Sequence, residues 1–355
     1  MLKFVKQLSL RTLQTAGTFD RVMNSEWRRR RLLILCYHGV SIEDEHEWRP
    51  PLYVQPMLLE QRFEALKDWR CAVLPLGEAI DRLYCNSLPP RAVALTFDDG
   101  GYDFYAKAYP LLKKYRFPAT VYQTTYYSEC QQPIFHLMCS YLLWKKRGEL
   151  LRVTPLLPCG STLDLRTEQS RQTIVDQLVM QAEGQQLSAE QRNDMAAELA
   201  GALGIDYKLV LQKRILQLMT PQEISELSAA GMVFQLHTHR HRVPFDETLF
   251  IREIRDNRIR LEQFAGTKPV HFCYPSGIHE PEFLLWLRQE HVASATTCEA
   301  GLASRDSDPL LLPRFVDTYS QSPIEFASWL TGIGALIPRK PRRRKRAVAL
   351  ATVPK

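Results

Sequence analysis

The run Ala92-Val-Ala-Leu-Thr-Phe97 is apolar or β-branched at every position and then stops at Asp98-Asp99-Gly100-Gly101. A strand with one solvated face alternates apolar and polar residues. One that is apolar throughout is covered on both faces, as the strands of parallel sheets are. The two glycines let the chain turn tightly at the strand's end. Adjacent carboxylates at that point repel each other and contribute nothing to a core. Either they form a solvated Asp-Gly turn, or a positive group sits beside them.

Similar runs recur along the chain. Leu32 to Tyr37 ends in His38-Gly39, and strand patterns follow at Ala119 to Gln123, Met232 to Leu236, Val270 to Tyr274 and 292–297. Helical spacing lies between them. It places Leu59, Phe63 and Leu66 on one face, then Leu76, Ile80 and Leu83, and it continues over 102–115 with a kink expected at Pro110. Thr220-Pro221-Gln-Glu223 is a capping box with proline at the first helical position, and that helix ends at Gly231. Asp246 caps a long helix with Phe250, Ile254 and Leu261 on one face, ending near Gly266, and a further helix is expected near 281–290. Pro309 to Val316 is the last core element. Strands alternating with helices predict a parallel α/β sheet or barrel, in which the strands' C-terminal ends carry the chemistry.

The alternation stops between about 125 and 219. That segment is polar and helical in pattern, with helices expected around 168–182 and 189–202 and a capping box at Ser188 to Gln191. It reads as an insertion rather than an independent domain, because the α/β rhythm resumes after it. A lid over the site and a plain structural elaboration are both open. The expected organisation is an N-terminal segment at 1–30, a catalytic domain at 31–318 that includes the insertion, and an extension at 319–355. Residues 2–24 are weakly amphipathic through Leu2, Val5, Leu8 and Leu13. A loosely docked helix is the default reading there, and an interfacial membrane role is the other.

The 355 residues are 45% hydrophobic and 24% charged, as in a soluble globular protein. The net charge of +7 is misleading, because Arg339, Lys340, Arg342, Arg343, Arg344, Lys345 and Arg346 account for it. The rest of the chain is balanced, so the charge does not argue for a nucleic-acid-binding body. The tail itself reads as a solvated, disordered end, with contact to a membrane surface as the alternative. Eight cysteines show no Cys-x-x-Cys spacing and fall largely in apolar runs, which suits a reducing compartment. No run reaches the roughly 18 apolar residues of a membrane span, and no signal-peptide pattern is present. The expected location is cytoplasmic, with membrane-surface association left open by the tail.

His237-Thr238-His239-Arg240-His241 follows an apolar strand. Two histidines and a carboxylate suit zinc or a similar divalent ion and leave coordination positions open. The alternative is a polar loop.

Thr96-Phe97-Asp98-Asp99-Gly100 and His237-Thr238-x-x-His241 together resemble the first two motifs of the polysaccharide deacetylases with the NodB-homology domain, carbohydrate esterase family four. The resemblance spans roughly Leu32 to Val316. It implies an α/β fold, a distorted (β/α) barrel of fewer than eight repeats, here with a mainly helical insertion. It also implies a divalent metal ion, zinc by preference, held by Asp99, His237 and His241, with Asp98 as general base. Thr238 is expected to buttress the loop, and His239, at an open position of the pattern, to be a solvated loop residue. The third motif survives as Cys273-Tyr274-Pro275-Ser276-Gly277, so the Ser276 N–H is the expected oxyanion donor, with Tyr274 beside it in the substrate and oxyanion region. Cys273 stands where the family has an arginine. Arg314, in Leu312-Pro313-Arg314, either replaces it as the partner of Asp98 or is a surface residue in an ordinary salt bridge. The family's terminal Leu-x-His is absent. His38 is the first candidate for the general acid and His279 the second, while His291 falls in a helical pattern; a structural His38 is the alternative. The implied reaction removes acetyl groups, N-acetyl on amino sugars above all, from a polysaccharide, oligosaccharide or glycolipid. The partner is an acetylated carbohydrate, no nucleic acid is expected, and the oligomeric state is open. A carbohydrate-binding protein that has lost catalysis on the same fold is the rival reading, and amide hydrolysis of a non-sugar substrate is a second enzymatic alternative.

Overall fold

Seven strands carry the architecture of the computed structural model, which describes residues 2–152 and 162–337. They are β1 Arg31–Tyr37, β2 Ala92–Phe97, β3 Thr120–Gln123, β4 Val233–Leu236, β5 His271–Cys273, β6 Ser294–Thr296 and β7 Phe315–Val316. The first six pair in parallel in the order β6-β5-β4-β3-β2-β1. The stretch 312–317 then crosses from one edge to the other. Leu312 bridges Thr296 of β6, and β7 pairs in parallel with β1, Phe315 opposite Leu35. The short strands Ala72–Leu74, parallel on β2, and Ala303–Ser304, antiparallel on β1, bring the sheet to nine strands, and the result is the expected distorted (β/α) barrel of fewer than eight repeats. The buried Arg62 guanidinium, 2.9 Å from Asp317, holds the far end of that crossing. The basic run at 339–346 lies outside the described residues.

Register decides what meets what. Leu33 pairs with Val93 and Tyr37 with Phe97, so β1 and β2 end level and place His38 beside Asp98. Gln123 pairs with Leu236, and Leu236 with Phe272, which brings Thr124, His237 and Cys273 to the same rim. Every residue of β2 is buried, as its unbroken apolar run predicts. Leu33, Leu35, Val93 and Leu95 join the large core cluster, while Leu32, Ile34, Ala92, Ala94, Tyr122 and Cys273 share another with the helix Leu76–Tyr84.

Between β3 and β4 the chain forms helices at Tyr126–Cys130, Phe135–Lys145, Glu168–Gly184, Ala189–Ala202 and Tyr207–Gln212. Met138, Leu142, Leu178, Leu199 and Val210 knit the last four of them into a separate apolar cluster. Both expected capping boxes form. A short antiparallel pair, Leu150–Arg152 with Thr162–Asp164, was not legible, because three-residue strands give no measurable period. The kink expected at Pro110 takes the form of a π-helical turn over Phe104–Ala108, just before the proline, whose missing N–H and ring clash disfavour a regular α-turn there. The amphipathic pattern over 2–24 is not one helix. It breaks at Gly17, which has φ 72°, into Leu2–Thr15 and Thr18–Met23. No helix among the described residues is long and apolar enough to cross a membrane.

Candidate active site

The strand ends converge on Asp98 and Asp99, and the two carboxylates face different partners. Asp98 is buried and gripped by Arg314, whose Nη1 and Nη2 donate to Oδ1 and Oδ2 at 2.7 Å each. Arg314 is itself fully buried. Its Nε donates to the Thr297 carbonyl at 3.0 Å, and its Nη2 lies 3.0 Å from the Cys273 Sγ. The surface-arginine reading is therefore wrong. A small thiol at 273 leaves the room that a guanidinium arriving from the last strand fills. Burial alone would raise the pKa of Asp98, but Arg314, backed by His38 and His237, holds it well below the usual carboxylate range. His38 Nε2 stands 3.7 Å from Asp98 Oδ2 at the mouth of the site.

Asp99 turns the other way, with φ 70°, a left-handed conformation costly for a residue with a Cβ. Gly100 follows at φ 77°, where any Cβ would run into the Gln123 amide. Asp99 Oδ1 lies 3.1 Å from His237 Nε2 and 3.2 Å from His241 Nε2. The His237 Nδ1 is 2.9 Å from the Cys273 carbonyl, a group that only accepts, so the ring's proton belongs there. Its Nε2 then carries a lone pair aimed at a carboxylate oxygen, and the His241 nitrogen meets that same oxygen. Such a convergence is stable with protonated rings or with a cation among them. The three ligand atoms lie within 4.8 Å of one another. Among the described residues, two other groupings of metal-ligating type, Cys36-His38-Asp98 and Asp98-His237-Cys273, both depend on the carboxylate already neutralised by Arg314. The donor set Asp99, His237 and His241 therefore fits a divalent ion. Burial would raise Asp99, but His241 and His237 hold it far below its ordinary value. Burial would lower His241, but Asp99 raises it.

A buried polar network fixes the histidine loop. Asn257, on the helix Glu247–Ala265, accepts from the His237 N–H at 2.9 Å and donates to the Gln123 carbonyl and the Thr125 hydroxyl at 3.0 Å each. Glu253 on the same face accepts from the Arg240 N–H at 2.7 Å and from its guanidinium at 2.9 Å. Thr238 buttresses the loop through its hydroxyl, which accepts from the Arg242 N–H at 3.0 Å. His239 is not the solvated residue expected. It is buried, its Nδ1 lies 2.8 Å from the Thr125 hydroxyl, and burial with Arg240 nearby pushes it down to about 4, so it is neutral. The sequence signal for Asn257 was its place on the apolar stripe, seven residues after Phe250 and three after Ile254. Asn257→Ala removes one hydrogen bond from each of three buried groups, of which the Thr125 hydroxyl keeps His239. It is expected to cost about 1–3 kcal/mol in a denaturant titration and to weaken retention of a divalent ion at His237.

The remaining expected residues divide. Ser276, at φ 56°, lines the cleft with Asp98, Asp99, His38 and His241. Tyr274 does not. It is fully buried, its hydroxyl donates to the Leu310 carbonyl at 3.1 Å, and its N–H donates to Thr296. Adjacent residues at a strand's end point to opposite faces, so with Cys273 facing Asp98 its neighbour turns away. His279 is tied to the Gly277 carbonyl at 3.1 Å, and His291 is exposed beyond the end of its helix, so His38 is the candidate acid that the structure brings to Asp98. The cleft has a volume of about 1680 Å³, and Val175 and Asp176 of the helix Glu168–Gly184 form part of its wall.

A family model described as polysaccharide deacetylase matches residues 86–141 and 190–292. No curated protein matches the sequence significantly. Among solved structures, the fold is similar to the Streptococcus pyogenes deacetylase PplD in complex with acetate, with 21% identity and a TM-score of 0.55 over 87% of this chain and 99% of that one. It is also similar to IcaB from Ammonifex degensii (18%, TM-score 0.52, 85% and 97%). A third is a de-N-acetylase from Aggregatibacter actinomycetemcomitans (17%, TM-score 0.52, 82% and 97%).

Proposed function

Because this chain belongs to the polysaccharide deacetylase family, hydrolases acting on carbon–nitrogen bonds, we propose that it removes N-acetyl groups from amino sugars of a polysaccharide, oligosaccharide or glycolipid in a reaction that depends on a divalent metal ion. The observation that carries the reading is the division of labour between adjacent carboxylates. Asp98 is neutralised by a fixed arginine, while Asp99 faces two imidazoles.

Asp99, His237 and His241 would hold the ion, zinc by preference, which when bound polarises an acyl oxygen and acidifies water. Asp98, kept ionised by Arg314, accepts a proton from the water that attacks the acetyl carbon; Oδ2 also meets the Cys36 and Cys273 thiols, and Oδ1 keeps a lone pair beyond the one Arg314 uses. The Ser276 N–H is the donor offered to the oxyanion. His38, 3.7 Å from Asp98, gives a proton to the leaving nitrogen as the C–N bond breaks, releasing acetate and a free amine. The guanidinium missing at position 273 is supplied from 314, which removes one of the grounds for a binding protein that has lost catalysis.

His38→Gln is expected to lower kcat about 10²–10⁴-fold and to leave the bound ion in place. Unchanged turnover would take the acid role away from His38. The functional reading itself is tested by incubating the purified protein with oligosaccharides of N-acetylated amino sugars and with O-acetylated sugars. Acetate and free amine appearing in equal amounts is the expected result. Acetate without amine would move the activity to esters, and glycan binding without acetate would support the binding protein.

A further inference from the structure

The helix Leu2–Thr15 is apolar on both faces. Leu10 is 1% exposed and packs with Phe19, Ala327 and Ile333. On the opposite face, Phe4, Val5 and Leu8 are 70%, 54% and 55% exposed. A helix lying on a soluble protein turns its apolar stripe inward and its polar face outward. Here the outward face carries three of the chain's exposed large apolar side chains within five residues.

The charge of the chain is segregated around this helix. Residues 1–31 hold eight Lys and Arg, of which Arg28 is buried, against two Asp and Glu, and residues 338–355 hold eight against none. Residues 32–337 hold thirty against thirty-seven, so the body is acidic. Among the described residues, the two ends of the chain meet. The helix packs on Pro323–Thr331, Lys3 donates to the Ser320 carbonyl at 2.8 Å, and Lys6 pairs with Glu325 at 2.8 Å. The described residues finish at Ile337, which packs into the same cluster as Leu10 and Phe19.

We propose that this end of the molecule docks on an anionic lipid bilayer, with Phe4, Val5 and Leu8 entering the boundary between headgroups and acyl chains and exposed basic side chains of residues 1–31, with those that the sequence adds after Ile337, meeting anionic headgroups. One shallow apolar face gives only marginal binding, and a polybasic stretch beside it is the second signal that makes such anchoring stable. The charge pattern disfavours the other occupants. A second copy would bring two cationic ends together. A nucleic acid would satisfy the charges and leave the apolar face in water.

The test is flotation of the full chain with vesicles of phosphatidylcholine alone and with about a third phosphatidylglycerol, at low and high salt. The protein is expected to float with the anionic vesicles only, to be released at least several-fold by high salt, and to lose most of its binding in Phe4→Glu/Leu8→Glu. Met180→Glu, at an equally exposed apolar position elsewhere (71% exposed), should bind as the parent does, and thermal melts of all three proteins should coincide. The proposal is overturned if the parent floats with neither vesicle type, or if the double variant floats as well as the parent. It is also overturned if the double variant abolishes self-association of a parent that ignores vesicles, or if the parent binds duplex DNA and not vesicles.

Discussion

Asp98→Asn is expected to lower acetate release about 10²–10⁴-fold while the ion content of the purified protein stays that of the parent. The substitution keeps shape and one acceptor oxygen for Arg314, and it removes the charge and the basicity. It leaves Asp99, His237 and His241 alone, because none of them relies on Asp98 for its position; His237 is set by Asn257 and the Cys273 carbonyl. Acetate release with elemental analysis of the same preparation checks both halves. Turnover near that of the parent would remove Asp98 from the chemistry, and loss of the ion would assign it to the metal site.

Arg314→Met should be the most destabilising single change at the site, costing about 3–5 kcal/mol, because it strands a carboxylate that is 2% exposed in a pocket with no other fixed cation paired to it. The linkage has a definite sign. The parent's Asp98 is depressed on folding, so its contribution is present above the unfolded value of about 3.9 and is lost as pH falls below it. In Arg314→Met burial dominates instead. Asp98 takes up a proton, the base disappears near neutral pH, and stability no longer falls on acidification from this group. Arg314→Lys keeps a charge without the two-pronged geometry and should fall between. Denaturant titrations at pH 7 and pH 4 separate the cases. In an Asp98→Asn background the cost of Arg314→Met should shrink sharply, since no charge is left to strand.

Much of the fold could be read because its signals are local. An all-apolar run such as Ala92 to Phe97 specifies a covered strand, and Thr220-Pro221-Gln-Glu223 specifies a helix start wherever it occurs. Asp98, Asp99, His237 and His241 were legible as a group because each directly follows or closely follows such a strand, and parallel strands end on one rim. Arg314 was legible only as two alternatives. Whether an arginine after Leu-Pro is buried depends on the void beside Cys273, and no short-range pattern carries that. His239 was misread because its burial comes from Thr125 and Glu253, distant in sequence. Tyr274 differs from its expected place for a local reason: two-residue alternation turns it away from Cys273, into the core, although the family motif sets it beside Ser276. Asn257 and Glu253 went unnoticed, since a polar residue on an apolar helix face looks like an imperfection until the loop it clamps is in view.

The most direct measurement is acetate release by the chelator-treated protein as a divalent ion is added back. Activity is predicted to be lost on chelation and to return in proportion to the ion bound, saturating at one equivalent, with no return in His237→Ala/His241→Ala. Full acetate release by metal-free protein, or recovery in that double variant, would contradict the division of Asp98 and Asp99 into a base and a metal ligand.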